Sequence, residues 1–114
     1  MSDKRRVVIT GVGLTCPLGS DKKQVWESLC EGRSGIRTIE LFDTSEFEIK
    51  IAGEVRDFDG KEYFGVREVR RLDRFTQFAV YAADQAVEQA GLDMDQENPK
   101  RCGCIVGTGI GGLN

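Results

Sequence analysis

The sequence predicts a single α/β domain with the order β-α-(excursion)-α-β, and three observations carry that prediction. Residues 5–10 contain three consecutive apolar residues, Val7, Val8 and Ile9, a pattern typical of a strand buried on both faces of a parallel sheet. Residues 73–90 repeat apolar side chains at helical spacing. Residues 102–106 are a second apolar segment ending in a glycine turn. Alternating strands and helices are typical of the α/β class.

The first predicted helix covers residues 21–31. Ser20 is the expected N-cap, and Gly32 is a natural stop. Four side chains fall on one face of this helix and are expected to pack together: Val25, Trp26, Leu29 and Cys30.

The middle of the chain has weaker patterns. Residues 33–48 lack periodicity and predict an ordered surface excursion. Residues 49–55 alternate weakly and predict a short strand, and residues 58–66 predict turns with a short helix.

The long helix over residues 73–90 is the clearest element, and Gly91 ends it. Its alanines predict a flat face that a helix or a backbone segment can approach closely. The apolar positions are Phe75, Phe78, Ala79, Ala82, Ala83, Ala86, Val87 and Ala90.

Composition excludes several classes of function. Sixteen Lys and Arg residues against nineteen Asp and Glu residues give a net charge of -3, which argues against binding nucleic acid through overall charge. No apolar stretch approaches the roughly 20 residues that span a bilayer. We therefore expect a cytoplasmic protein with reduced thiols and without a membrane contact.

The chain contains no histidine, so Cys/His zinc sites and histidine-activated nucleophiles cannot be built from it alone. Its four cysteines include no C-x-x-C pair. Each is expected to be a small buried side chain; they are Cys16, Cys30, Cys102 and Cys104.

Short motifs follow one another along the whole chain. They are residues 5–13 (RRVVITGVG), 16–19 (CPLG), 33–36 (RSGI), 42–45 (FDTS) with 52–59 (AGEVRDFD), 70–75 (RRLDRF) with 90–92 (AGL), and 107–113 (GTGIGGL). Together they resemble the amino terminus of the β-ketoacyl-acyl carrier protein synthases, most of all the type II elongating enzymes of bacterial fatty acid synthesis. Cys16 stands where that family usually has serine.

The resemblance implies a thiolase-like layered α-β-α-β-α fold, of which residues 1–114 are an incomplete amino-terminal part. Such enzymes are usually homodimers. They hold an acyl chain as a thioester on a cysteine and condense it, with two histidines, with malonyl-acyl carrier protein; no metal or nucleotide cofactor takes part. These residues belong to a later part of the family's sequence, so no catalytic residue is assigned here, and the chain alone is expected to be inactive.

The same resemblance implies two sets of site residues. Ile110 matches the apolar residue that gates the acyl chain. Arg67, Arg70 and Arg71 match basic positions that meet the acidic acyl carrier protein. Helical spacing adds Arg74 to these three as one basic stripe. From the residues alone, Ile110 as core and the arginines as a solvated helix face stay open.

Other interpretations also stay open. A polyketide ketosynthase shares the motifs, and fatty acid synthesis is favoured because the chain begins directly at its first predicted strand. A non-catalytic partner of a complete synthase is another. A small nucleotide-binding α/β module is a third, since Gly107-x-Gly109-x-x-Gly112 fits a dinucleotide fingerprint. The isolated chain is expected to be poorly stable, because residues 7–9 and 104–106 would leave apolar faces uncovered.

Overall fold

The computed structural model describes residues 4–112. Leu113, the last residue of the glycine motif, lies outside the described residues. The elements, in order, are helix α1 (Lys22–Cys30), strands β1 (Ile36–Thr38) and β2 (Ile51–Gly53), helices α2 (Gly60–Phe64), α3 (Val66–Val69) and α4 (Arg74–Ala90), and a 3₁₀ turn at Pro99–Arg101.

Helix α1 begins one residue later than expected. Its N-cap is Asp21, whose carboxylate accepts hydrogen bonds from the backbone N–H groups of Lys23 and Gln24. Ser20 is not the cap; its hydroxyl is hydrogen-bonded to the hydroxyl of Thr15 at 2.7 Å.

The predicted buried face of α1 is largely wrong. Val25 is buried, but Trp26, Leu29 and Cys30 are exposed, and Ser28 is buried instead. Residues 25 and 28 are three apart and therefore share a narrow stripe of the helix. Trp26 is 67% exposed and Leu29 57% exposed.

Strands β1 and β2 form an antiparallel pair, with Ile36 opposite Gly53 and Thr38 opposite Ile51. The weakly alternating segment 49–55 thus contains a strand, as predicted. Its partner β1 was not predicted, because it lies in the segment without periodicity. Pro17 fits against this hairpin, since a Cβ on Gly53 would lie 2.9 Å from its ring.

Helix α4 confirms the clearest prediction. It ends at Gly91, which has the left-handed backbone conformation that favours glycine (φ 61°). The backbone of residues 11–14 runs along its alanine face so closely that a Cβ on Gly13 would overlap the carbonyl of Ala82. The flat face therefore receives a backbone segment, as expected.

Hydrogen bonds fix the glycine segment on α4. The backbone N–H of Val12 donates to the Gln89 side chain at 2.8 Å. The Gln85 amide donates to the carbonyls of Leu14 and Ser20, and the Tyr81 hydroxyl donates to Ser20 as well. The glycines of this first turn are thus used for close packing of backbone on helix.

An aromatic cluster joins α2 to α4. Phe58 is 6% exposed and contacts the rings of four neighbours, Tyr63, Phe64, Phe78 and Tyr81, with centroid distances of 4.9–6.4 Å. Val25 is the only other buried hydrophobic side chain within residues 4–112. The hydrophobic core of the described chain is therefore small.

The two predicted outer strands are wrong for this chain. Neither residues 5–10 nor residues 102–106 form strand pairs among the described residues. A strand needs a neighbouring backbone for its hydrogen bonds, and these two segments do not pair with each other. Val7 is consequently 93% exposed and Ile105 fully exposed.

Candidate functional site

The candidate basic residues lie around the short helix α3. Arg67 is within it, Arg70 is its C-cap, and Arg71 follows in a turn in which its N–H donates to the carbonyl of Glu68. All three arginines are exposed. Arg71 also pairs with the Glu68 carboxylate at 3.9 Å, with both side chains more than half exposed.

Arg74 does not continue this stripe, which corrects the prediction from helical spacing. The chain leaves helical geometry at Asp73 (φ -60°, ψ 152°), and α4 starts in a new phase. The Arg74 guanidinium instead donates to the carbonyls of Val55 and Phe58 and lies 4.7 Å from the centre of the Phe78 ring. It is thereby a structural residue of the aromatic cluster.

Buried Gln77 holds the turn between α3 and α4. Its amide donates to the carbonyl of Leu72 at 2.8 Å. A Cβ on Gly60 would overlap its carbonyl oxygen, so the first residue of α2 packs directly against it. The turn that follows Arg70 and Arg71 is therefore fixed to α4 by a hydrogen bond.

Ile110 lies in the glycine loop, which reaches the start of α4. The Gly111 N–H donates to the Thr108 hydroxyl at 3.0 Å. Ile110 is 74% exposed and lines a cavity of about 370 Å³. The other lining residues are Asp73, Arg74, Phe75, Phe78, Gly111 and Gly112.

Two sets of polar interactions that the sequence does not predict link elements of the chain. The Glu54 carboxylate accepts hydrogen bonds from the backbone of Glu40 and Leu41 and pairs with Arg56 at 2.7 Å. Desolvation raises the pKa of Glu54, but the Leu41 N–H, the Arg56 guanidinium and the Glu40 N–H together outweigh it and leave this pKa below its usual value. The network ties the end of β1 to the end of β2.

The second network joins α2 to α4. The Tyr63 hydroxyl donates to the Asp84 carboxylate at 2.7 Å. That hydrogen bond, followed by desolvation, raises the pKa of Tyr63 to about 12. No spacing rule connects positions 63 and 84, so only the folded chain shows this pair.

The cysteines differ from the prediction. Cys16 is half-buried in a tight turn, in which its N–H donates to the carbonyl of Gly19 and its carbonyl accepts from the N–H of Gly19. The other three cysteines, Cys30, Cys102 and Cys104, are exposed. Within residues 4–112, no three His, Cys, Asp or Glu side chains form a group that would hold a metal ion. In the same part of the chain, no helix has the length and apolarity needed to cross a membrane.

Comparison with known proteins decides the family. The model of the family "Beta-ketoacyl synthase, N-terminal domain" matches residues 4–114. The chain belongs to the β-ketoacyl synthase family.

Three curated relatives of this β-ketoacyl synthase chain share one name. The chain is 44% identical to the 3-oxoacyl-[acyl-carrier-protein] synthase 2 of Vibrio harveyi and 45% identical to that of Coxiella burnetii, in each case over 97% of its own length. It is 42% identical to that of Staphylococcus aureus strain COL over 99% of its length. The chain spans 27% of the length of each of these three proteins.

A solved structure shows the same relationship in three dimensions. The chain superposes on "The ishigamide ketosynthase/chain length factor" with a TM-score of 0.71 and 39% identity, covering 81% of this chain and 23% of that one. The likeness confirms the expected fold class: this mixed helix-and-sheet chain is a partial domain of a thiolase-like ketosynthase.

Proposed function

We propose that this chain is the amino-terminal part of a 3-oxoacyl-[acyl-carrier-protein] synthase of fatty acid biosynthesis. In the complete enzyme, malonyl-acyl carrier protein loses carbon dioxide, and the resulting carbanion attacks an acyl thioester held on a cysteine. The cysteine thiolate leaves, and 3-oxoacyl-acyl carrier protein is formed. The observation that carries this proposal is the 42–45% identity to such synthases over 97–99% of the chain.

The chain alone is then inactive, since the catalytic cysteine and both histidines belong to the rest of the enzyme. The sequence supports this in part, because it contains no histidine. The complete enzyme is expected to be a cytoplasmic homodimer, as is usual in this family. A ketosynthase of polyketide synthesis is the second candidate, supported by the likeness to a ketosynthase/chain length factor structure.

In this function the acyl carrier protein binds at Arg67, Arg70 and Arg71. They are exposed, within five residues of one another, and held on an anchored turn. Arg71 forms an exposed ion pair with Glu68, and such pairs contribute about 0–1 kcal/mol. The guanidinium groups therefore remain available to an acidic partner, which they would orient and draw in by charge.

Charge reversal in the complete synthase tests this docking surface. Arg70→Glu together with Arg71→Glu should raise KM for acyl carrier protein substrates about tenfold or more at low salt. The effect should shrink as salt screens the charges, while kcat stays close to that of the parent. Steady-state kinetics over a salt series measures both.

Lys23→Glu is the matched control, because Lys23 is 83% exposed on α1 and pairs only loosely with Glu27 at 3.9 Å. It should leave KM unchanged. If the double variant has the parent's KM at low salt, these arginines do not receive the carrier protein.

Ile110 would gate the acyl chain in the same enzyme. Its exposed side chain lines the cavity that the loop forms with the start of α4. That position leaves it free to meet an apolar substrate chain.

A further inference from the structure

The glycines of the loop that carries Ile110 contact helix α4 at Phe75. Phe75, in the first turn of α4, lines the same cavity as Ile110 and Gly111. A Cβ added at Gly111 would lie 2.6 Å from two atoms of the Phe75 ring. The loop backbone therefore lies directly on the ring, and only glycine fits at position 111.

The Thr108 side chain crowds the same position. A Cβ at position 111 would also lie 2.7 Å from the hydroxyl oxygen of Thr108, which accepts the Gly111 N–H. A side chain at position 111 would thus meet both the Phe75 ring and the Thr108 hydroxyl, although the glycine itself is exposed. Ile110 precedes Gly111 in the chain and lines the same cavity as the Phe75 ring.

Phe75 is held in place because two other residues of the first turn of α4, Arg74 and Gln77, are anchored by hydrogen bonds. Arg74 donates to the carbonyls of Val55 and Phe58 at 3.1 Å, and buried Gln77 donates to Leu72. A side chain held by such a turn keeps a fixed place relative to the rest of the domain.

We propose that Phe75 is a positioning residue that sets where Ile110 stands and so determines which acyl chain lengths the synthase accepts. The inference rests on the proposed function, in which Ile110 meets the acyl chain. Phe75 itself need not touch the substrate; it acts through Gly111. Removing the ring lets the loop settle toward α4, which moves Ile110 and enlarges the space for long chains.

Three variants of the complete synthase test the proposal: Phe75→Ala, Gly111→Ala and the double variant. Phe75→Ala should raise the ratio of kcat/KM for long over short acyl chains about threefold or more, the scale on which pockets discriminate chains by methylene groups. Gly111→Ala should lower activity, because its methyl group overlaps the ring. In the double variant the ring is gone and only the close contact with the Thr108 hydroxyl remains, so activity should recover in part, by at least about threefold, a non-additive result expected of residues in contact.

Phe47→Ala is the control, since it removes a half-exposed ring from the loop between β1 and β2 and should leave the chain-length ratio unchanged. Should Gly111→Ala fail to fold, Phe75→Leu and Phe75→Ala alone report the ratio, which a purely structural role would not move. An active parent whose ratio is unaffected by Phe75 variants overturns this inference alone. A parent that forms no 3-oxoacyl product overturns the proposed function and this inference with it.

Discussion

At the scale of single residues, two glycines allow backbone segments to contact helix α4 closely. Gly13 lies against the carbonyl of Ala82, and Gly111 lies against the ring of Phe75. In both places a backbone segment touches α4 with no room for a methyl group. Gly111 lies within residues 107–112, the segment that fits a dinucleotide fingerprint, but it is not one of the three glycines that define the fingerprint.

Gly13→Ala tests the first contact. The added methyl group should lower the free energy of unfolding of the complete synthase by about 1–3 kcal/mol, the usual cost of overpacking. Denaturant unfolding measures it. Ala83→Ser, which also adds one heavy atom but at an exposed position of α4, should cost clearly less; equal losses would show that the close approach has no special role.

At the scale of elements, local signals predicted the helices well. Helix α4 begins and ends within one residue of the prediction, and α1 begins and ends one residue inside it. Periodicity, caps and stop signals all lie within the helix itself. The short helix α2 also falls in the predicted segment.

Elements and contacts that depend on distant partners were not predictable in this way. Strand β1 exists through its pairing with β2, in which Ile36 lies opposite Gly53 and Thr38 opposite Ile51. Arg74 does not share a helix face with the other three arginines, because the turn at Asp73 separates α3 from α4. The support of Gly111 by Phe75 joins positions far apart in sequence, and no pattern in either segment signals it.

The pair Tyr63–Asp84 links α2 to α4 and makes a pH-dependent prediction. A pKa raised from 10.0 to about 12 means that the folded chain holds this proton more tightly than the unfolded chain. The resulting stabilisation is complete below the unfolded value and is lost as the pH rises through the folded value. Tyr63→Phe should abolish this alkaline loss and cost about 0.5–1.5 kcal/mol at neutral pH.

Tyrosinate absorbance, taken as the difference between the parent and the Phe variant, follows the titration directly. Asp84→Asn keeps an acceptor but removes the charge, so it should bring the pKa of Tyr63 back toward its ordinary value. An ordinary Tyr63 titration in the parent would refute the pairing.

At the scale of the whole molecule, the described chain is extended. Its radius of gyration is 17.8 Å, against about 13 Å for a compact domain of roughly this length. The apolar segments around Val7 and Ile105 are exposed together with Trp26 and Leu29 of α1. Such surfaces favour association with other apolar surfaces.

The isolated 114-residue chain should therefore associate or unfold without a sharp transition. Size-exclusion chromatography with light scattering and a thermal melt followed by circular dichroism measure this. A monomer with a sharp cooperative melt would contradict it.

The most direct test of the whole account compares 3-oxoacyl-acyl carrier protein formation by residues 1–114 alone and by the complete synthase containing them. Both are supplied with acyl- and malonyl-acyl carrier protein at equal molar concentration. We predict product and released carbon dioxide from the complete enzyme and none from the segment. Turnover by the segment alone, or its absence in the complete enzyme, would contradict the assignment.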